Sequence, residues 1–399
     1  GMFKILSTGR VQGPALKIIV DKDREILQFK PEPYWQIKLE GEVDKQPVLA
    51  WHEEGKFWEK QKADAVFKKT QGKKAAVTEI KKKEMQVPPP YPFDLTTLQT
   101  EAYRCFGISP KETMSITQNL YLSGYISYPR SSSNKLPPAL DYKTIIQELG
   151  KQQAYKDLAA QLLKKKMLQP NEGPKVDPAH PAIHATGEVP KKMTEREAKL
   201  YDLIARRTLA TFADPAVNEL MKAIIDVNGE NFIARGAVTK EPGWYKMYGA
   251  YAKEKNEELP AMESGMEVKN PNITALEDQT KPPKRFTPAS IIKELEKKNL
   301  GTKSTRTTIV DTLYQRQYIN EKSIEATKLG IAAVETLEKY CPEIVDEQLT
   351  RHFEEEMEEI REEKKKPEEI IEEAKKELTK ILANFKKHEK DIGQGLLQA

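Results

Sequence analysis

The sequence predicts a multidomain α+β protein, and three observations lead to this prediction. The chain has 399 residues, which is enough for two to four domains. Stretches in which apolar and polar residues alternate, as in strands, are separated by longer stretches with the apolar spacing of helices. The order is a short helix, strands, a helical block, strands again and a second helical block. The simplest explanation is a helical block inserted into a β-rich domain, which makes the surrounding domains discontinuous.

Strand patterns occupy two separate parts of the chain. PEPYWQIKLEGEV, residues 31–43, alternates apolar and polar side chains and predicts a strand. Residues 47–87 predict further strands, interrupted by lysine-rich turns at KKTQGKK and KKKEMQ. AIIDVNGENFIARGAVT, which follows Asp214, predicts the second group of strands.

Helical patterns begin at residues 15–20 and resume after PPPYP, residues 88–92, a stiff stretch that predicts a domain boundary. TTLQTEAYRCFG and SPKETMSITQNLYLSG each end at a glycine, as helices often do. Thr287 followed by Pro288 predicts a capped helix start. Residues 354–385, rich in Glu and Lys, predict one or two solvated amphipathic helices.

These patterns divide the chain into three predicted domains. The boundaries are a helical domain at 1–30 and 282–399, a β-rich arch at 31–91 and 214–281, and a helical domain at 92–213.

Composition excludes several classes of protein. The net charge is +4, so a nucleic-acid surface would have to arise from local clustering of cations. Two distant cysteines give neither a disulfide framework nor a zinc-finger spacing, which favours a reducing cytoplasm. No apolar run approaches the roughly 20 residues that span a bilayer, so we expect no membrane partner. No glycine-rich phosphate loop is present, so ATP use is not indicated.

The segment GYISYPRSSSNKLPP, residues 124–138, combines a phenol, a guanidinium and a row of hydroxyl groups that could all serve a phosphate-handling site. Pro129 favours an extended Tyr128, and residues two apart in an extended chain face the same side. Tyr128 and Arg130 should therefore share one space, where the guanidinium can assist the phenol as a nucleophile and stabilise charge on a phosphate. Ser131 and Ser133 could donate hydrogen bonds to backbone phosphates. A surface loop with an ordinary tyrosine and helix-capping serines fits the same composition.

The exact order of residues in this segment also resembles a known active-site segment. GYISYPRSSSNKLP resembles the active-site segment of type IA DNA topoisomerases, G-Y-I-T-Y-x-R-T-x-S, and looks most like the archaeal branch. The resemblance implies that Tyr128 is the nucleophile and Arg130 the transition-state cation. Many members carry an acid where this chain has Ser132.

Four further segments match the family in the same order. The last is LGIAAVETLEKYCPEIVDEQLT, and the other three supply the remaining candidate site residues. LSTGRVQGPAL, residues 6–16, implies DNA contacts from Arg10 and Gln12, and AHPAIHATG implies that His180 lies near the scissile phosphate. PPKRFTPASIIKELEKKNLGTKSTRTTIVDTLYQRQYI resembles a strand-binding segment and implies DNA contacts from Arg285, Ser304, Thr305 and Arg316. Lys303 and Arg306 in the same segment are expected to be exposed cations that favour phosphate contact.

The family's architecture is a toroidal body in which a β-rich arch carries a helical domain with the active-site tyrosine. The implied reaction cleaves and rejoins single-stranded DNA, with duplex DNA held in the central hole, in a nucleoid-associated cytoplasmic protein. Magnesium would act from a Toprim domain expected before residue 1, and no ATP is needed. Topoisomerase I, topoisomerase III and reverse gyrase remain alternatives for the parent protein.

Two competing interpretations have less support. His180 and His184 lie four residues apart, but no Glu follows the first histidine and no third ligand is near, so we predict no metal site within the chain and treat His184 as a packing residue. The alternative function is a non-catalytic module that binds single-stranded nucleic acid.

Overall fold

The computed structural model describes residues 11–398, and its helices and strands alternate in blocks along the chain. The α-helices, in chain order, are α1 Gln12–Gln28, α2 Lys60–Thr70, α3 Leu95–Phe106, α4 Pro110–Leu122, α5 Tyr142–Leu149, α6 Lys156–Leu163, α7 Glu195–Ala210, α8 Trp244–Tyr248, α9 Pro288–Lys297, α10 Arg306–Gln315, α11 Lys328–Tyr340, α12 Glu347–Arg361 and α13 Pro367–Leu397. The strands are β1 Pro33–Val43, β2 Gln46–His52, β3 Ala75–Val87, β4 Ala216–Val227, β5 Glu230–Glu241, β6 Glu267–Gln279, β7 Ile319–Asn320 and β8 Glu325–Ala326. Short 3₁₀ turns occupy Gly249–Tyr251 and Pro342–Val345.

The first six strands form a closed antiparallel barrel in the order β1-β2-β5-β4-β3-β6. Closure removes the unpaired strand edges that an open sheet would expose. β1 and β2 meet at a two-residue turn in which Asp44 and Lys45 both have positive φ, at 51° and 61°. Side chains such as Ile37, Leu39 and Phe232 fill the barrel interior. The predicted strand at 31–43 and the strands after Asp214 are confirmed.

The stretch at 47–87 differs from its prediction in two places. It contains the helix α2, whose residues Ala63, Val66 and Phe67 lie on one face at helical spacing and pack on the barrel core. KKKEMQ, predicted as a turn, lies inside β3, where Lys81, Lys82 and Lys83 pair with β4. The lysine count concealed the strand because much of β3 is exposed to solvent.

The helical block α3–α7 has its own buried cluster, with Phe93, Leu98, Leu120 and Tyr201 among its members. Asp94 caps α3 in a capping box, and Gly107 ends that helix with φ 67°, as predicted. α8 lies within the range predicted for the arch, yet its residues Met247 and Tyr248 are buried in the cluster of this helical block.

The remaining cluster joins α1 to the C-terminal helices and includes Ile19, Ile291, Leu313 and Val334. Thr287 caps α9 with Pro288 at its first position, which confirms the predicted start. The charged run at 354–385 is divided between α12 and α13, so the prediction of amphipathic helices is confirmed. No helix within residues 11–398 is both long and apolar enough to cross a bilayer.

Candidate active site

The tyrosine segment is held in place by pairing with the segment that follows His180. The Ser127 amide donates to the His184 carbonyl at 2.9 Å, and the Thr186 amide donates to the Tyr125 carbonyl at 3.1 Å. Ile126 and Ala185 form an antiparallel bridge between these hydrogen bonds. Two segments almost 60 residues apart in sequence are thereby brought side by side.

This pairing places the Tyr128 ring against His180, with 4.4 Å between ring centroids and an angle of 40° between the rings. Tyr121 of α4 packs edge-on against Tyr128 at 5.3 Å. Tyr128 is half-buried, and its hydroxyl is bonded to no residue that the structure describes. The phenol is therefore oriented by its ring contacts, and no hydrogen bond within residues 11–398 fixes its oxygen.

Arg130 is half-buried and lines a cavity of about 320 Å³ between α4 and α10. The other residues around that cavity are Lys111, Met114, Ser115, Gln118, Asn119, Thr307, Thr308 and Asp311. Within residues 11–398 the Arg130 guanidinium has no hydrogen-bond or ion-pair partner. Tyr121 follows Gln118 by three residues on α4, so Tyr128 and Arg130 both lie along one face of that helix.

The first turn of α10 contributes Thr307 and Thr308 to the same cavity. Backbone N–H groups at a helix N-terminus carry partial positive charge and suit an anion. Lys111 contacts Asp311 at 2.9 Å at the rim of this space. The cavity thus combines the start of α10 with the Arg130 guanidinium, which no described residue neutralises.

Ser131 and Ser133 do not face this cavity, and the prediction that they contact DNA does not fit the structure. Their exposed fractions are 0% and 3%. The Ser131 hydroxyl accepts a hydrogen bond from the Ser133 amide at 3.2 Å, and the Ser133 hydroxyl accepts one from the Lys135 amide at 3.0 Å. Both hydroxyls shape the loop and have no path to a phosphate in this conformation.

Asp177 is a residue at this site that the sequence analysis missed. Its carboxylate accepts hydrogen bonds from the Ser132 amide at 3.1 Å, the Ser132 hydroxyl at 3.2 Å and the Ala179 amide at 3.0 Å. Lys303 donates to the same carboxylate. Burial opposes ionisation of Asp177, but the hydrogen bonds from Lys303, Ser132 and Ala179 outweigh it and hold its pKa well below the usual range. The signal in the sequence was Asp177-Pro178 three residues before the histidine, a typical turn start.

A second cavity, of about 770 Å³, lies between the helical block and the C-terminal block. Ser132, Asp177 and Ala179 line one side, and Thr302, Lys303 and Arg306 line another. Acidic residues of α12 and the residue that follows it form another part of the wall: Glu354, Glu355, Glu358, Glu359 and Glu362.

The predicted DNA-binding residues of the C-terminal block are mostly engaged within the protein. Arg285 forms an ion pair with Asp23 and lies 3.7 Å from Glu325. Ser304 is exposed, and Thr305, also exposed, is the residue before α10, with its hydroxyl accepting from the Thr302 amide at 2.9 Å. Arg316 is half-buried at the end of α10 and has interactions within the protein.

Lys303 and Arg306 were expected to be exposed cations, and this is wrong. Lys303 is paired with Asp177, and Arg306 donates to the carbonyls of Leu300 at 2.9 Å and Gly301 at 3.0 Å. Burial lowers the pKa of Arg306. Arg306 therefore stabilises the turn between α9 and α10.

The N-terminal candidates are described only in part. Arg10 lies outside the described residues. Gln12 is in the first turn of α1, and its side-chain oxygen is buried with no hydrogen-bond partner among residues 11–398.

His184 is a packing residue, as predicted. It is 5% exposed, and its Nδ1 lies 2.8 Å from the Ala185 carbonyl. Burial lowers the pKa of His184, which favours the neutral ring.

One group of side chains within residues 11–398 offers three potential metal ligands, namely His352, Glu356 and Glu373, whose ligand atoms lie within 4.8 Å of one another. The group lies on α12 and α13 and includes no residue of the tyrosine site. Lys365, 3.6 Å from Glu356, already supplies a positive charge there.

Comparisons with known proteins agree with the fold and with the tyrosine segment. The profile of the DNA topoisomerase family matches residues 1–372. The chain therefore belongs to the DNA topoisomerase family, and within it to the type IA class that the tyrosine segment predicted.

Its sequence is similar to archaeal DNA topoisomerase 1 proteins. It is 47% identical to that of Pyrococcus horikoshii over 396 residues, which is 98% of this chain and 58% of that protein. It is 46% identical to that of Methanocaldococcus jannaschii over 398 residues, covering 99% of this chain and 52% of that protein. The chain thus spans a little over half the length of these relatives.

A solved structure of full-length topoisomerase I from Thermotoga maritima is also similar, with a TM-score of 0.77 and 27% identity. That match covers 94% of this chain and 63% of the other. The multidomain α+β fold predicted from the sequence is confirmed.

Proposed function

We propose that this chain is the strand-binding and strand-cleaving body of a type IA DNA topoisomerase, which cuts and rejoins single-stranded DNA through a 5′-phosphotyrosine. The observation that carries the proposal is the Tyr128 phenol, which is half-buried and packed against His180 with the two rings tilted, and whose hydroxyl is bonded to no described residue. A tyrosine kept for packing generally buries its ring and finds a partner for its hydroxyl. A tyrosine of the family's active-site segment whose hydroxyl has no partner among the described residues is better suited to act as a nucleophile than to a packing role.

In the proposed reaction the Tyr128 oxygen attacks a backbone phosphorus and loses its proton. The bond from phosphorus to the 3′ oxygen breaks, that oxygen takes up a proton, and the 5′ phosphate remains esterified to tyrosine. After another strand has passed, the 3′ hydroxyl attacks the phosphotyrosine and restores the backbone. One phosphoester is exchanged for another, so no ATP is consumed.

Arg130 and His180 have separate roles in this proposal. The Arg130 guanidinium, which has no ion-pair partner in the described part of the chain, would stabilise the charge on the phosphate under attack. His180 lies close enough to the phenol to contact the phosphate or to relay the proton. Neither Arg130 nor His180 has an ion-pair partner among the described residues, so neither would have to break an ion pair before it acts.

The remaining partners follow from the family. Single-stranded DNA would occupy the tyrosine site, and duplex DNA the central hole, in a cytoplasmic, nucleoid-associated protein. Magnesium would be held by the carboxylates of a Toprim domain in the same parent protein, where it would neutralise phosphate charge. The steps above use only the residues of this chain.

Two assays test the proposal. Anisotropy of a fluorescent single-stranded oligonucleotide should show binding by this chain, with little or no cleavage in magnesium. In the parent protein, extended to the length of its relatives, a 3′-end-labelled oligonucleotide should form a covalent adduct that survives denaturing electrophoresis. Tyr128→Phe should abolish the adduct, while the neighbouring Tyr121→Phe should retain it.

Adduct formation by Tyr128→Phe would refute the catalytic assignment. Tight DNA binding with no adduct from the unaltered parent protein would instead favour the non-catalytic binding module. Efficient adduct formation by this chain alone would show that it needs no further domain.

A further inference from the structure

We propose that Asp177 is a positioning residue for the tyrosine site, and that Lys303 makes this positioning depend on contact between the helical block and the C-terminal block. The inference deepens the proposed function and rests on it. The carboxylate of Asp177 contacts both of the loops that carry the reactive groups, and this geometry is the basis of the inference.

The first loop is the one that follows Tyr128 and Arg130. Ser132 donates both its amide and its hydroxyl to a single carboxylate oxygen of Asp177, at 3.1 and 3.2 Å. Ser132 is two residues beyond Arg130, so this double contact fixes the backbone immediately after the guanidinium.

The second loop is the one that leads into His180. The other carboxylate oxygen of Asp177 accepts from the Ala179 amide at 3.0 Å. Ala179 is the residue before His180, so the direction in which the histidine leaves the loop is set by the same carboxylate. Displacement of Asp177 would therefore move His180 and Arg130 relative to each other.

Lys303 provides the link to the C-terminal block. The Asp177 side chain is only 2% exposed, and it forms an ion pair with Lys303. The turn that carries Lys303 is held by Arg306, which donates to the carbonyls of Leu300 and Gly301. A buried carboxylate that loses its cation is strongly disfavoured and must move, hydrate or take up a proton. Separation of the blocks would remove the cation, and both loops would lose their shared anchor.

The interface offers a matched control. Lys175 pairs with Asp94 in its own block and with Glu296 of α9, and this second pair also crosses between the blocks. Among the described residues Glu296 has no hydrogen bond to Ser132 or Ala179. It lies 3.9 Å from Arg306, but the hydrogen bonds from Arg306 to the carbonyls of Leu300 and Gly301 do not involve it. Glu296→Gln therefore breaks an ion pair across the interface without touching the anchor of the two loops.

Proton NMR of the His180 ring gives a readout that a purely structural role would not move. The Tyr128 ring, centred 4.4 Å away, shifts the His180 ring protons, and Tyr128→Leu defines their position without that neighbour. Asp177→Asn and Lys303→Met should move the signal toward the Tyr128→Leu position. Lys303→Arg should restore it, and Glu296→Gln should leave it unchanged. His180→Gln assigns the signal, and the Lys303 variants carry the test if Asp177→Asn does not fold.

Single-turnover cleavage by the parent protein supplies the functional measurement. Asp177→Asn and Lys303→Met should slow adduct formation roughly tenfold to hundredfold, as expected for misplaced reactive groups. Glu296→Gln should stay within about twofold of the unaltered protein, because it leaves the loops in place.

An unchanged His180 signal in both Asp177→Asn and Lys303→Met would overturn the inference, as would equal slowing by Glu296→Gln. Failure of the unaltered parent protein to form any adduct would count against the proposed function instead. The NMR comparison would still decide whether Asp177 orders the two loops.

Discussion

The tyrosine loop and the segment from α9 to α10 were both predicted to contact DNA, yet the structure treats their polar side chains in opposite ways. In the tyrosine loop, the Tyr128 hydroxyl and the Arg130 guanidinium have no hydrogen-bond or ion-pair partner among the described residues, while Ser131 and Ser133 are buried and bonded within the loop. In and beside the α9–α10 segment, Arg285, Lys303 and Arg306 are all bonded to groups of the protein.

The difference separates groups that react from groups that bind. A nucleophile and its supporting cation must be available when substrate arrives, so an internal partner would compete with the reaction. Cations that only hold a strand can be paired in the DNA-free protein, since phosphates can replace acidic side chains at modest cost. Binding at the C-terminal block should then involve exchange of ion pairs.

The largest effect that this comparison predicts comes from Arg130. Arg130→Ala in the parent protein should reduce the rate of adduct formation about 10²–10³-fold, the usual cost of removing a preorganised group that stabilises transition-state charge. Stability should be unchanged because the guanidinium has no described partner to lose. Single-turnover cleavage and the midpoint of thermal unfolding, Tm, measure the two properties.

Arg130→Lys is the matched control for charge alone and should recover only part of the rate. A large fall in Tm for Arg130→Ala would show that the side chain is structural, and the contrast between the two regions would fail.

The next largest effect is predicted at Ser131, where a substitution should change stability and leave DNA binding unaltered. Ser131→Ala leaves the buried Ser133 amide without its hydrogen bond, so it should destabilise the protein by about 1–3 kcal/mol. Loss of a few degrees in Tm is the corresponding observable. DNA affinity at temperatures well below Tm should not change. Weaker DNA binding with an unaltered Tm would restore the original prediction of a phosphate contact for Ser131.

Local signals in the sequence accounted for much of the fold. Capping residues and terminal glycines predicted helix ends at Thr287 and Gly107, because these positions depend on neighbouring residues only. α2 and the lysine-rich part of β3 were missed because tertiary packing decides both. α2 presents only a narrow apolar face to the barrel, and β3 is paired with β4 although much of it is solvated.

Residues of the site could be predicted from the sequence where their own chemistry decides their role. They were harder to predict where contacts with other residues decide it. Chemistry and spacing made Tyr128 and Arg130 candidates, the resemblance of their segment to the type IA family selected them, and their catalytic roles remain predictions. Ser131 was misjudged because an exposed donor and a buried one look alike in sequence. Asp177 was missed because its partners lie 45 and 126 residues away.

A smaller effect concerns pH and the Asp177 carboxylate. Its pKa is held below the value of about 3.9 that it has in the unfolded chain. The stabilisation is therefore fully present above that value and is lost as pH falls through the folded pKa. The difference in Tm between the unaltered chain and Asp177→Asn should be constant near neutral pH and should narrow in acid. A difference that widened in acid would contradict the ionised, Lys303-paired state.

The smallest predicted effect tests whether paired cations are available to DNA. Asp23→Asn removes the acid from Arg285, while the amide oxygen can still accept from the Ala326 amide. Single-stranded DNA should bind a few-fold more tightly, and the dependence of log K on log salt should steepen by about 0.7, the value for one added phosphate contact. Asp21→Asn removes the same charge from an exposed position on α1 and frees Lys17 and Arg24 but not Arg285, so it reports the effect of lost charge and freed cations elsewhere on the helix. Equal behaviour of the two variants would mean that Arg285 stays out of the strand-binding surface, and its pairing would then be a structural feature of the α1 contact.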